Sequence, residues 1–115
     1  MFSRVNRRKY FAATMLIAGL LPLGAMAKPH YISKIHIDGV FSIIETYASH
    51  AAKPACVSAQ NKNKWVLNTS TAQGQSMYLA LLSAAIHKLP VTAETTQNCR
   101  EYPALESLKA VTLEH

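Results

Sequence analysis

Acidic residues are scarce in this chain: six stand against twelve lysines and arginines, beside two cysteines, four glycines and a single tryptophan in 115 residues. Each shortage excludes something. The six acids form no obvious pair for acid–base work, and no Gly-x-Ser-x-Gly string offers a nucleophile held against a base and its orienter. The chain is therefore read as non-catalytic, and no cofactor is expected. The two cysteines lack Cys-x-x-Cys spacing, which argues against a redox pair. Aromatic residues make up only 8%, too few near the expected binding strands for the stacking platforms of a single-strand nucleic-acid groove. There are no internal repeats, low-complexity tracts or linkers.

What is present begins with an address. Arg4, Arg7, Arg8 and Lys9 form a basic start, Phe11 to Gly24 is an apolar run too short to span a bilayer, and Ala25-Met26-Ala27 gives a small-x-small cleavage pattern. The sequence predicts a signal peptide over 1–27, removed by the general export route rather than the twin-arginine one, although Arg7-Arg8 weakly suggests the latter. The mature part, 28–115, is expected to be a single domain, periplasmic or secreted, with no membrane attachment once the leader is gone. The charge argument changes with it. The whole chain is formally +6, but the leader takes four basic residues and no acid, leaving eight basic and six acidic residues and a formal +2. A basic pI thus says nothing about nucleic acid, and none is expected as a partner.

A domain of this size has a thin core and needs a staple. In an oxidising compartment Cys56 and Cys99 are expected to supply it as one disulfide. Two free thiols or a redox pair are the alternatives.

The organising stretch is Trp65 to Pro90. Ser70 with Gln73 fits a capping box, strong helix formers follow, and Pro90 stops them, so one helix is predicted over about 71 to 88. Met77, Tyr78, Leu81, Leu82, Ala84, Ala85 and Leu89 fall on one arc as its core face. Gly74 lies in that arc, where close helix–strand packing explains it. Leu79 and Ile86 lie among polar residues on the far side and are candidate oligomer contacts. Before the helix, Ile32 to Asp38 alternates with period two, Asp38-Gly39 is a hairpin turn, and Val40 to Tyr47 resumes as strand. Ala55 to Ala59 is predicted as a third strand carrying Cys56, and Trp65 to Leu67 continues as strand, with Trp65 a core anchor. After the helix, Val91 to Thr96 and Leu105 to Leu113 are predicted strands around a loop over 97–103.

Strands with one helix inserted before the fourth is the order of the OB-fold, a five-stranded barrel whose closure suits a thin core because it removes free edges. The fold class predicted is all-β with one helix, a five-stranded OB-fold barrel with the helix between strands 3 and 4. Beyond that order, the chain resembles the OB-fold B subunits of AB5 toxins of the subtilase-cytotoxin and typhoid-toxin (pertussis-like) type, and small secreted bacterial proteins related to them. The residues carrying the resemblance are the leader, Cys56 with its polar bend and Trp65, the helix pattern Gly74…Met77-Tyr78…Leu82…Ala85, Pro90-Val91 and the later Cys99. They cover about 55–110; the spacing around the helix and the lack of an aromatic-rich segment after the fourth strand depart from the toxin subunits.

The resemblance implies a secreted, pentamer-forming domain that binds host glycans. The toxin subunits carry Asp-Gly-x-Phe-Ser near the mature N-terminus at their sugar pocket, and Asp38-Gly39-Val40-Phe41-Ser42 matches that string. Asp38 and Ser42 are therefore candidate glycan-binding residues, a carboxylate and a hydroxyl suited to sugar hydroxyls; the competing reading makes them a hairpin turn and an exposed strand position. Of the five histidines, only His36 and Asp38 sit two apart on a strand face, short of the three or four ligands zinc needs, so no metal is expected. The alternative to a glycan-binding subunit is a stand-alone exported structural or interaction protein.

Overall fold

The computed structural model describes residues 28–115, so the expected leader, 1–27, lies outside the described residues. The chain is mostly β with one helix. Its elements are β1 (Ile32–Asp38), β2 (Phe41–Thr46), β3 (Lys64–Asn68), α1 (Ala72–His87), β4 (Val91–Thr95) and β5 (Leu108–Leu113). The strands form two antiparallel sheets, β1-β2-β3 and β4-β5.

The first hairpin forms where the turn chemistry placed it. Gly39 adopts φ 62°, which a residue without a side chain tolerates, and Asp38 pairs Phe41 across a two-residue loop. On β2 strict alternation holds, with Ser42, Ile44 and Thr46 buried. On β1 it does not: the register shifts between Ile32 and Lys34, so Ile32 and Ile35 turn toward the core. Ile37, expected beside Ile35 on the buried face, is 60% exposed near the hairpin tip.

Two predicted strands are corrected. Residues 55–57 are turns and a bend, Ser58 is extended and caps a single 3-10 turn at Ala59–Asn61, and the third strand is Lys64–Asn68. Pro54 initiates the tight reversal, its carbonyl accepting from the Val57 N–H, and Asn61 N–H returns to Ser58. The last ladder begins only at Leu108. Leu105 to Ser107 run beside β3 instead, through a parallel bridge between Val66 and Ser107 in which Val66 N–H donates to Glu106. A second bridge pairs His30 with Val91 by two hydrogen bonds of 2.8 Å. The ladders themselves do not close into a barrel; these two isolated bridges tie the sheets to each other.

The helix cap also differs from expectation. Thr71 is the N-cap, its Oγ1 accepting from the Gly74 N–H at 3.0 Å. Ser70 turns back to Asn68 Oδ1, and Gln73 reaches the Lys109 carbonyl on β5 rather than closing a capping box. The C-terminal end is at Lys88, in the left-handed conformation, with Pro90 just beyond. Leu81 and Ala84 are fully buried, with Met77, Tyr78 and Leu89 packed around them against Ile44, Trp65, Leu67, Val91 and Leu108. Trp65 is the core anchor expected, 3% exposed. A disulfide joins Cys56 to Cys99, tethering the loop before β3 to the loop after β4. No described helix is long and apolar enough to cross a membrane.

Candidate functional site

The two bridges between the sheets bring together residues that are far apart in the chain. His30 enters at its bridge to Val91, while Trp65 and Glu106 neighbour Val66 and Ser107 of the other bridge. Around them opens a cleft of about 430 Å³, lined also by Lys28, His50, Thr95 and Gln97. That volume lies within the range of small-molecule sites.

Its wall is an imidazole–indole stack. The His50 ring lies flat on Trp65, centroids 4.1 Å apart and 10° from parallel, and His30 meets both rings edge-on at 4.7 and 5.8 Å. A hydroxyl fixes the proton on His50. Thr46 Oγ1 has one hydrogen and donates it to the Ala48 carbonyl at 2.8 Å, so at the 2.9 Å contact it accepts from His50 Nε2. His50 Nε2 therefore carries a hydrogen. Burial, then the charges of His30 and Lys53, push its pKa down to about 4. His30 is lowered too, by burial and Lys28. Its Nδ1 is buried without a partner, which favours leaving that nitrogen unprotonated and carrying the hydrogen on Nε2.

The floor is Glu106, 1% exposed. Its Oε2 accepts from Thr95 Oγ1 at 2.7 Å, and Gln97 Nε2 donates to the same Thr95 oxygen at 2.9 Å. Burial raises the Glu106 pKa, opposed by the Thr95 bond and Lys53. The cleft therefore combines the buried Glu106 carboxyl, the exposed Glu94 carboxyl, an amide, neutral imidazoles and the Lys28 ammonium.

The chain matches no family model, no curated protein and no solved structure.

The residues singled out from the sequence lie elsewhere. Ser42 is on β2 but only 2% exposed, paired between Ile37 and Leu67, not at an open strand position. Asp38 is exposed at the hairpin end and accepts from the Tyr102 hydroxyl at 2.8 Å. That bond raises the Tyr102 pKa. Leu79 and Ile86 stand on the outer helix face, 65% and 67% exposed. Among the described residues no cluster of three or more metal-ligating side chains forms. Sequence reading missed the cleft because its members come from separate segments: His30 and His50 stand out only as metal candidates, Trp65 as a core anchor in preference to a ligand platform, and Glu106 not at all. The one available signal was a lone acid inside the run Leu105-Glu106-Ser107-Leu108.

The neutral His50 makes a stability prediction. Its folded pKa lies below the unfolded value near 6.5, so the unfolded chain binds more protons between pH 6.5 and 4. The His50 contribution is complete above pH 6.5 and is lost as pH falls toward 4, by about 2–3 kcal/mol. Glu106, raised, acts in the opposite direction by protonating in the folded state. Urea midpoints at pH 7 and pH 4.5 should therefore fall less for His50→Gln than for the parent, and fall more for Glu106→Gln. A parent and His50→Gln with the same pH dependence would contradict this.

Proposed function

We propose that residues 28–115 are an exported, non-catalytic domain of OB type that binds glycans in the cleft between His30 and Glu106. The observation that carries the reading is the buried Glu106 carboxyl, held by one hydroxyl at the floor of a half-open cleft. A carboxylate accepts hydrogen bonds from sugar hydroxyls, while the His30 Nε2–H and the Lys28 ammonium donate to them, so vicinal hydroxyls find both roles in one place. The glycan class itself comes from the resemblance to the toxin B subunits.

Three further observations support the parts of this reading. Following ladders and bridges together, the strands run β1-β2-β3-β5-β4 and return to the residues before β1, an order that suits an OB barrel with β1–β4 and β3–β5 joined by single bridges. A disulfide favours an oxidising compartment outside the cytoplasm. Against catalysis stands the direction of the hydroxyl–imidazole bond: His50 donates to Thr46, which is fully buried and gives its proton to a carbonyl, so the imidazole is no base for that hydroxyl.

The test is a glycan array on the mature protein, followed by calorimetry with the best ligand. Glu106→Gln is expected to weaken binding about tenfold or more, as loss of a charged hydrogen-bond acceptor does, while Ser42→Ala leaves it unchanged. A fold check by thermal melting accompanies both. Loss of binding in Ser42→Ala with Glu106→Gln unaffected would move the site to the Asp38–Ser42 hairpin. Failure to bind any glycan removes the reading.

A further inference from the structure

Away from the cleft, Tyr31 and Tyr47, 51% and 78% exposed, line a second groove together with Leu82 of the helix. Leu82 lies three residues from Leu79 and four from Ile86, so the three form one stripe along α1. Between that stripe and β1 runs this groove of about 630 Å³, lined by Tyr31, Ile32, Ser33, Lys34 and Ile35 on one side and by Leu82, Ala85 and Lys88 on the other.

The bridge from His30 to Val91 says which way the outer edge of β1 faces. Continued past His30 into β1, the same edge runs toward the end of α1, where Ala85 and Lys88 line the groove opposite residues 31–35. That edge is open: β1 is the outer strand of its sheet, and among the described residues no backbone group of 32–38 bonds outside the β1–β2 ladder. An unpaired strand edge beside an apolar wall is the geometry that receives an extended segment as an added strand.

Charge decides between occupants. The groove lining holds Lys34 and Lys88 and no acid. Lys34 approaches Glu45 only at 4.0 Å on the surface, a contact worth little. A second copy pairing antiparallel along β1 would set its Asp38 against Lys34 but bring no acid of its own edge to Lys88, which would face a like-charged copy. A flat lipid surface gains nothing from a concave groove or a free backbone edge.

We propose that β1 and α1 together form a docking groove for an extended, acidic–apolar segment of a partner protein, which pairs with the β1 edge, seats its apolar side chains against Leu82 and Ala85, and places its acids at Lys34 and Lys88. This inference is independent of the glycan cleft.

The experiment uses the mature protein and two short synthetic peptides, one alternating valine with glutamate and the other valine with lysine. The glutamate peptide is expected to bind at least about tenfold more tightly, a difference of about 1.4 kcal/mol. In amide-resolved NMR, bound peptide should protect the outward N–H groups of 32–38 from exchange and leave the His50 and Glu106 amides unshifted. Lys34→Glu with Lys88→Glu, both at exposed positions, should reverse the preference between peptides while lowering the melting temperature by only a few degrees, since each change adds one mild charge repulsion. Equal binding of the two peptides, no binding of either, or shifts confined to the cleft would overturn the proposal. So would self-association that the glutamate peptide does not displace, or attachment to phosphatidylglycerol vesicles in preference to the peptide.

Discussion

Replacing Cys56 and Cys99 together with serine is expected to remove about 4 kcal/mol of unfolding free energy. The bridge joins residues 43 apart, and in the chain-entropy description a loop of that size restricts the denatured ensemble by about this amount. The effect is large because the domain is small. Domains of this length hold about 4–13 kcal/mol in all, so the loss takes a third or more of the total. Serine leaves little cavity, since Cys56 is exposed and Cys99 only half-buried, and the change therefore reads the cross-link rather than packing. Urea unfolding of the parent, of the parent in reductant and of the double variant should give one high midpoint and two lower ones close together. A loss below about 1 kcal/mol would mean that the denatured chain is already held compact, and the entropic account would fail.

Gly74→Ala should destabilise by about 3 kcal/mol, although in an ordinary helix the same change stabilises by about 0.5–1 kcal/mol. Gly74 sits in the first turn of α1, is buried, and donates its N–H to the Thr71 cap. A methyl group there would overlap the carbonyl oxygen of Asn68 at the end of β3. That oxygen belongs to the backbone, and Asn68 is fixed by pairing with Phe41 and by side-chain bonds to Ser70 and Glu101. The clash is relieved only if the helix shifts off the strand, which disturbs the packing of Leu81 and Ala84. Ser76→Ala, at an exposed position of the same helix, is the control and should move the midpoint by less than about 0.5 kcal/mol. A more stable Gly74→Ala protein would show that helix and strand have room to part.

Local chemistry accounts for the elements that were legible. Asp38-Gly39 supplied a hairpin because Gly39 accepts a positive φ, and α1 stops short of Pro90 because a proline disfavours the helical conformation of the residue before it, with the turn made at Lys88. Where neighbouring residues offered competing partners, sequence reading misjudged which would win. Ser70 and Thr71 are both good caps, and Asn68 captured Ser70, leaving the cap to Thr71. The stretch 55–58 has one strong β-former, Val57, and Pro54 with the tether through Cys56 bends it into turns. Ser42 looked like an exposed strand position because polar residues commonly are; its face is decided by the register of β2 between β1 and β3, which places it inward with Ile44 and Thr46.

The sequence by itself determined that one helix interrupts a set of strands, that two cysteines were available to staple a small domain, and that Leu79 and Ile86 stand outside the core face. Those properties depend on residues near one another along the chain, or on counting. Only the tertiary structure decided that His30, His50, Trp65, Thr95 and Glu106 share one cleft, and that the open edge of β1 faces a basic, apolar groove. Both come from single bridges and sheet edges linking segments tens of residues apart, and no periodicity within a segment records which edge its neighbour will meet.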